Sequence, residues 1–487
     1  MIFFVTFFHQ GKKVNTRKPI TNILFINEMI NPIQLSKIMK KVIILLFVIV
    51  TTTKLQAQTT ITRDPSIEQM VKEISPDSLR SYIQTMVNFG TRNTLSTQTE
   101  KKRGIGAARL YVLQKFNQFA AQSNGRLTAI IDTTTLQADK RRVDTTLLLG
   151  NVLATLKGTD PADNRVFIIS GHLDAMRTNV MDRVGDAPGA NDDASGVAAV
   201  MECARIMSKR NFGATIIFLA VSGEEQGLLG STYMATKSKK EILNIEAVLN
   251  NDIMGSNNSN ETNNINNTQV RVFSEGLPAY ELDKNAKAIR QLGLENDGKS
   301  RQLARYVKET GERYVDNLEI KLIYRNDRFL RGGDHTPFVE NGFTAVRITE
   351  MNENYTRQHQ NVRVENGIQY GDLIEFIDFE YLRKNTGMNL STLANLAKAP
   401  SKPDSVKIDV KKLSNSSYLY WKKPLTGSVK GYYLLMRETT SAFWQKKIFT
   451  TATEITVPYS KDNYFFAVQA INEPGNESLP VVPGIGR

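Results

Sequence analysis

The stretch that decides the fold is RVFIISGHLD, residues 165–174, in which a run of apolar residues ends in a histidine and an aspartate. A helical pattern, ASGVAAVMECARIMSK (194–209), follows it, and then a second apolar run that ends in acids, ATIIFLAVSGEE (214–225). The helical stretch LLGSTYMATKS (228–238) and the strand-like stretch IEAVLNNDIMG (245–255) repeat the alternation. Buried strands that alternate with helices predict an α/β domain with a mostly parallel, mixed central sheet flanked by helices.

The pattern changes on both sides of this alternation. Residues 65–125 carry apolar residues at three-and-four spacing, which is typical of amphipathic helices. From residue 401 the chain shows short alternating strands such as NYFFAVQAIN (463–472), which predict a small all-β, immunoglobulin-like sandwich. Its pattern resembles a fibronectin type III module. We therefore expect a large α/β domain over residues 59–400 and a fibronectin type III-like sandwich over residues 401–487.

Residues 39–58, MKKVIILLFVIVTTTKLQAQ, have the pattern of a secretory signal peptide. Two lysines precede a short apolar run, and Ala57 offers a small residue for cleavage. The segment 1–38 is expected to be an upstream extension that is absent from the mature protein; the alternative is a genuine cytoplasmic or membrane-anchoring segment. We expect export to the periplasm or beyond the cell, without stable membrane association after the signal is removed.

Charge and cysteine content exclude two classes of function. The net charge of +13 suggests a nucleic-acid partner, but eight of the basic residues and only one acid fall within residues 1–58. The rest of the chain has no basic run interleaved with aromatic residues, so we expect no nucleic-acid binding. The single cysteine, Cys203, excludes an intrachain disulfide and a multi-cysteine zinc site, and its apolar neighbours predict a buried structural thiol.

Acids and histidines gather where the predicted strands end. In an open α/β sheet, ligands bind outside the carboxyl ends of the strands. Three of the four histidines in the chain fall in these loops. Oxygen and nitrogen ligands without thiolates suit zinc, manganese or cobalt, and a pair of zinc ions needs a bridging carboxylate. The residues in these loops are His172, Asp174, Asp192, Asp193, Glu224, Glu225, Asp252, Asp334, His335 and His359.

Four ordered motifs make the chemistry more specific. SGHLDA, GANDDASGVAAVME, FLAVSGEEQGLLGS and LNNDIMG resemble the successive motifs of metallopeptidase family twenty-eight, over roughly residues 65–400. That family contains exported co-catalytic zinc exopeptidases, including the aminopeptidase S and aminopeptidase Y types. The resemblance implies the di-zinc exopeptidase fold, two zinc ions and peptide substrates.

Carried over position by position, the resemblance also implies roles for single residues. Asp192 would bridge the two zinc ions, and the peptide bond between Asp192 and Asp193 would be cis. Glu224 would be the general base. The implied metal ligands are His172, Asp192, Glu225, Asp252 and His359.

One of these ligands, His359, has a competitor, and another, His172, has a predicted hydrogen-bond partner. The family usually has a tyrosine directly before the last ligand histidine, whereas Tyr355 stands four residues before His359. His335 is therefore the competing ligand, although its segment normally supports the site without binding metal. Asp174, two residues after His172, is expected to accept the proton from the other ring nitrogen and so fix the tautomer.

The leading functional expectation is an aminopeptidase, with other classes left open. A carboxypeptidase must hold a free carboxylate, and Arg325, Arg328 and Arg331 offer a clamp unless they form a solvated loop. Relatives that cyclise glutaminyl termini use one zinc and lack the first histidine ligand, whereas His172 is present here. Receptor-like relatives have lost ligands that this chain keeps. The sequence leaves the oligomeric state and the side-chain preference open.

Overall fold

A computed structural model describes residues 59–411 and 413–486, apart from the side chains of residues 279–284. The predicted extension (1–38) and signal peptide (39–58) lie outside these residues and stay predictions. Among the described helices, none combines the length and the apolar character needed to cross a membrane. The described α-helices are α1 (Pro65–Lys72), α2 (Pro76–Val87), α3 (Gly104–Ala120), α4 (Ala194–Met207), α5 (Leu229–Lys240), α6 (Ala279–Leu292), α7 (Lys299–Tyr314), α8 (His335–Glu340) and α9 (Phe379–Lys398).

The strands form one large mixed sheet and three smaller ones. The large sheet has the order β1-β2-β4-β3-β5-β8-β6-β7, and its centre, β4-β3-β5-β8, is parallel. The predicted α/β fold is therefore confirmed. The strands of this sheet are β1 (Leu127–Leu136), β2 (Leu147–Leu156), β3 (Arg165–His172), β4 (Thr215–Val221), β5 (Asn244–Asn251), β6 (Gln269–Phe273), β7 (Glu319–Ile323) and β8 (Ala345–Glu350), and a short hairpin of β9 (Arg363–Glu365) and β10 (Ile368–Tyr370) follows.

Helices cover both faces of the large sheet. All eight residues of β3 are buried, which explains its nearly continuous apolar run. Because side chains alternate along a strand, Phe167 and Ile169 join the core beneath α4 and α9, while Ile168 packs with residues of α5 and α8. Cys203 of α4 is buried in the first of these cores, as predicted.

The antiparallel hairpin β1–β2 extends the large sheet at one edge and was not expected from the sequence. The three N-terminal helices agree with the helical pattern over residues 65–125. β1 alternates only weakly between buried and exposed positions, and Ile130 is 53% exposed. Its pairing with β2 depends on backbone hydrogen bonds, so the apolar pattern does not reveal it.

The C-terminal residues form the predicted sandwich. Two sheets, β15-β12-β11-β17 and β14-β13-β16, enclose a separate apolar cluster that includes Trp421, Tyr432 and Leu434. Leu479, by contrast, packs into the main α/β core. The fibronectin type III assignment and the domain limits stay predictions. The strands are β11 (Asp404–Asp409), β12 (Ser417–Lys422), β13 (Gly431–Glu438), β14 (Lys446–Thr450), β15 (Glu454–Val457), β16 (Tyr464–Ile471) and β17 (Gly484–Gly486).

Candidate metal centre

The candidate ligands meet at the carboxyl edge of the parallel strands. His172 is the last residue of β3, Asp252 directly follows β5, and Glu225 lies four residues beyond β4. Asp192 lies in the loop just before α4. This is the edge at which an open α/β sheet binds its ligands.

Asp192 is shared by two groups that could each hold a metal ion. Its Oδ1 lies 3.0 Å from Nε2 of His172, and its Oδ2 lies 2.9 Å from Nε2 of His359. Asp252 completes the first group with an oxygen 3.8 Å from His172 Nε2, and Glu225 completes the second with an oxygen 3.3 Å from His359 Nε2. The five ligands implied by the resemblance thus form two triads that share one carboxylate.

His359, and not His335, is brought to this cluster. His359 has a left-handed backbone (φ 56°), and its ring reaches both Asp192 and Glu225. His335 is buried at the start of α8, with its Nε2 2.7 Å from the carbonyl oxygen of Asn326. Within the described ranges, His335 belongs to none of the groups able to hold a metal.

Asp174 acts on the site differently from what the sequence suggested. The Nδ1 of His172 lies 3.0 Å from the main-chain carbonyl oxygen of Asp174 and 3.8 Å from its carboxylate. The carbonyl therefore fixes the tautomer that leaves Nε2 free for metal. The carboxylate accepts hydrogen bonds from the N–H groups of Gly223, Glu224 and Glu225 at 2.9, 3.2 and 3.1 Å. It thus holds the loop that carries the adjacent glutamates.

Glu224 lines the same cavity as the candidate ligands and is partly buried. Burial raises its pKa well above the usual range, and the neighbouring charge of Glu225 adds to the effect. Carboxylate oxygens of Glu224 and Glu225 also form a group with His172 that could hold a metal. The geometry therefore allows Glu224 to bind metal or to move protons, and the resemblance assigns it the second role.

Buried charges around the ligands shift one another's pKa. Burial opposes ionisation of Asp252, but Arg347, whose Nη2 lies 3.0 Å away, outweighs it and lowers the pKa of Asp252. Burial likewise opposes the charged form of His172, yet hydrogen bonds to Asp192 and Asp252 raise its pKa well above the usual value. The cluster of carboxylates therefore stabilises positive charge at its centre.

The loop GANDDASG (189–196) is held so that Asp192 faces the cavity. Asp193 caps helix α4 through Gly196 N–H at 2.9 Å and also accepts a hydrogen bond from the N–H of His172 at 2.9 Å. A Cβ atom at Gly196 would lie 2.4 Å from the Asp193 carboxylate, so only glycine fits there. The Asp192–Asp193 peptide bond is cis, as the resemblance implies.

Two further residues hold this loop and were missed in the sequence. The carboxylate of Asp372 accepts hydrogen bonds from the N–H groups of Asn191 and Asp192 at distances of 2.7 to 3.0 Å, and burial raises its pKa to about 7. The guanidinium of Arg92, fully buried, donates to the carbonyls that flank the ligand loops. Those acceptors are Met86, Leu173, Pro188 and Gly189. No local pattern in the sequence marks either residue.

The cluster opens into a cavity of about 320 Å³, which we call the site cavity. Of the three arginines considered as a carboxylate clamp, Arg328 and Arg331 line it. Arg325 is exposed and lies over the ring of Phe329 instead. The residues that line the cavity are Arg142, His172, Met176, Asp192, Glu224, Glu225, Gly227, Leu228, Asp252, Arg328, Arg331, Gly332, Gln358 and His359.

The donor set fits zinc. Imidazole nitrogens and carboxylate oxygens without thiolates suit this ion. Oε1 of Glu225 is buried without a hydrogen-bond partner among the described residues, although it lies beside the ring of His359. A buried carboxylate oxygen with no donor carries a large desolvation cost, which a bound cation would remove.

Known proteins show the same fold and similar sequences. Residues 151–376 match the family model of peptidase family M28. A "Probable zinc metalloprotease" of Leptosphaeria maculans is 42% identical over 421 residues, covering 86% of this chain and 97% of that protein. Another, from Pyricularia oryzae, is 41% identical over 428 residues, covering 86% of this chain and 84% of the relative. A crystal structure of LapA from Legionella pneumophila matches with a TM-score of 0.51 at 18% identity, covering 71% of this chain and 79% of that one. This chain therefore belongs to peptidase family M28, and its clustered histidine and carboxylate groups are the candidate ligands for the metal of a metallopeptidase.

Proposed function

We propose that this protein is a zinc-dependent aminopeptidase that uses two zinc ions to remove N-terminal residues from peptides. The observation that carries the proposal is the position of Asp192, whose two oxygens face two different histidines at 3.0 and 2.9 Å. A carboxylate placed in this way suits a site that would hold two metal ions, one beside each histidine. The names of the relatives, probable zinc metalloproteases, support zinc as the metal.

The residues around that centre have different roles in the proposed reaction. When bound, a pair of zinc ions supplies a water of lowered pKa and polarises the scissile carbonyl. Glu224 accepts a proton from the attacking water at its carboxylate and returns it to the leaving amine nitrogen. Asp174 keeps Glu224 and Glu225 at the cavity by holding their backbone N–H groups.

The shape and charge of the site cavity support an exopeptidase that acts at the N-terminus. At about 320 Å³ it lies near the lower end of the range for ligand pockets, roughly 300–1,000 Å³. Such a volume fits a chain end and the adjoining bond rather than an extended segment. Of the carboxylates that line it, Glu224 is the one not assigned to the metal ions, and its charge attracts the α-ammonium group of a free N-terminus.

A carboxypeptidase is the second candidate, and one observation favours it. Arg328 and Arg331 line the site cavity, where a guanidinium could bind a free C-terminal carboxylate. The zinc-loaded protein should be assayed on one peptide in free, N-acetylated and C-amidated forms. An aminopeptidase cleaves the free and C-amidated peptides only. Cleavage of the N-acetylated peptide, with loss of activity on the amide, would replace the proposal with the carboxypeptidase.

Two other reaction classes are separated by metal content and product. A glutaminyl cyclase would bind one zinc ion per chain and release ammonia from N-terminal glutamine, whereas the proposal expects two ions and a free amino acid. A receptor-like protein would not hydrolyse any peptide of the panel. The presence of His172 within the first triad supports the two-metal enzyme.

We also propose that the enzyme is exported, because residues 39–58 have the pattern of a signal peptide. Expression of the chain from Met39 in a bacterial host should yield exported protein whose N-terminus lies after Ala57. Protein that stays in the cytoplasm with the segment intact would contradict this part of the proposal.

A further inference from the structure

Arginines line the site cavity beside the candidate metal ligands. Arg142, Arg328 and Arg331 all contribute to its wall. The proposed chemistry needs carboxylates and imidazoles and uses none of these guanidinium groups. They therefore offer the substrate a second kind of contact, separate from the metal centre.

One carboxylate, that of Glu353, serves three arginines. It accepts hydrogen bonds from Arg271 at 2.7 Å, from Arg328 at 3.1 Å and from Arg331 at 3.3 Å. The shortest of these bonds goes to Arg271 and the longest to Arg331. Asp327 also pairs with Arg328, so two negative charges face these three positive ones and the wall near Arg331 keeps an excess of positive charge.

The neighbouring acids, Asp327 and Asp252, also have a further arginine, Arg347, as a partner. Asp327 lies 3.2 Å from Arg328 Nε and also 3.2 Å from Arg347 Nη1. Arg347 has Asp252 as its second acidic partner at 3.0 Å. Once Asp252 binds metal, two carboxylates, those of Asp327 and Glu353, remain for four guanidinium groups. The positive excess beside the cavity is then larger still.

Of Arg328 and Arg331, Arg331 is the more accessible to a negatively charged ligand in the site cavity. Its side chain is 33% exposed, against 9% for Arg328. Only its Nη1 has partners among the described residues, at 3.3 Å to Glu353 and 3.4 Å to Gln358. Arg142 is also exposed and donates to the main-chain carbonyl of Glu225 at 2.7 Å, with no acidic partner in the described part of the chain.

We propose that Arg331, aided by Arg142, binds a carboxylate of the substrate that lies within one residue of the scissile bond. Arginine binds carboxylates through paired N–H donors, and the small cavity keeps the contact close to the cleaved bond. The carboxylate has two possible sources: the side chain of an N-terminal aspartate or glutamate, or the free C-terminus of a dipeptide. This inference rests on the proposed function, because it takes the site cavity to be the place of peptide cleavage.

Two pairs of substrates test the inference and separate the sources. The zinc-loaded full protein is assayed on Glu-Ala-amide against Gln-Ala-amide, and on Leu-Ala against Leu-Ala-amide. We expect kcat/KM to be at least about tenfold higher for the carboxylate-bearing member of one pair, the effect of a charge-assisted hydrogen bond. Arg331→Gln should abolish this preference, mainly by raising KM for the carboxylate-bearing member.

Arg325→Gln is the matched control, because Arg325 lies on the same loop but is exposed and does not line the cavity. It should keep the full preference. Equal rates within both pairs, or a preference that survives Arg331→Gln, would overturn the inference while leaving the aminopeptidase intact. If no peptide is cleaved, the proposed function fails. The inference is then decided by binding: L-glutamate should raise the melting temperature more than L-glutamine in the wild type and equally in Arg331→Gln, and equal shifts in both proteins would reject it.

Discussion

Glu477 of the sandwich forms a buried ion pair with helix α7, and its replacement should destabilise the whole described unit. Its carboxylate, 1% exposed, accepts a hydrogen bond from each Nη of Arg313 at 2.8 Å and one from Asn395 at 3.0 Å. Lys447 lies 3.4 Å away. Glu477→Gln keeps the volume but removes the charge. Arg313 is then left with Glu309, at 3.2 Å, as its acidic partner among the described residues.

The loss of unfolding free energy in Glu477→Gln can be calculated in two ways, and the two results are similar. Removing one partner of a buried ion pair costs about 3–5 kcal/mol. Burial opposes ionisation of Glu477, but the charges of Lys447 and Arg313 outweigh it and lower its pKa to about 2 from 4.5. A shift of this size corresponds to about 3 kcal/mol of stability at neutral pH. For a cooperative unit of about 430 residues, that is a fall in melting temperature of roughly 3 °C.

The lowered pKa of Glu477 also determines how the effect of Glu477→Gln on the unfolding free energy depends on pH. Because the folded-state pKa of Glu477 is lowered, its contribution is fully present above pH 4.5 and is lost as the pH falls toward about 2. The difference in unfolding free energy between the wild type and Glu477→Gln should therefore be about 3 kcal/mol at pH 7 and shrink steadily below pH 4.5.

Chemical denaturation at pH 7 and pH 3 measures this difference. The matched control is Glu473→Gln, because Glu473 lies nearby in the same loop and its ion pair with Lys430 is exposed (75% and 42%). That variant should stay within about 0.5 kcal/mol of the wild type. A Glu477→Gln variant as stable as the control, or a sandwich that unfolds in a separate transition unaffected by the change, would refute the reasoning.

Three further substitutions test the metal centre and its support. Glu224→Gln should lower kcat at least about 100-fold with unchanged zinc content by elemental analysis; loss of zinc would identify Glu224 as a ligand instead. Asp252→Asn should reduce the zinc bound per chain, and full stoichiometry would remove Asp252 from the ligand set. Arg92→Gln should lower the unfolding free energy by at least about 3 kcal/mol, since four backbone carbonyls lose their donor. An Arg92→Gln variant of wild-type stability in urea would show that these bonds contribute little.

The candidate ligands could be located from the sequence because they are local to the ends of regular elements. His172 ends β3, Asp252 follows β5, and Asp192 precedes α4. Hydrophobic periodicity finds those boundaries, and the geometry of parallel strands brings them to one edge. His359 lies nine residues beyond β8, in irregular backbone, so the sequence marked it only as one of several loop histidines and acids, and the resemblance to the family was needed to assign it as a ligand.

The residues that hold the site could not be found in the same way, because their contacts join distant parts of the chain. Asp372 binds the N–H of Asp192 across 180 residues, and Arg92 reaches the carbonyl of Gly189 across 97. Neither lies in a periodic segment or a recognisable motif. The contact of the sandwich with the main core, through Leu479 and Glu477, is likewise long-range and is visible only in the folded chain.

The site loops contain more acids than the metal centre uses, and the structure explains the surplus. Asp174, Asp193 and Asp372 each accept backbone N–H groups from a loop that carries ligands, at distances between 2.7 and 3.2 Å. A loop with several converging carboxylates would be pushed apart by its own charge. Because three carboxylates accept hydrogen bonds from the backbone, the loops are held and the directions of Asp192 and Glu225 are fixed. Preorganisation of this kind lets the fold itself set the spacing of the candidate ligand atoms.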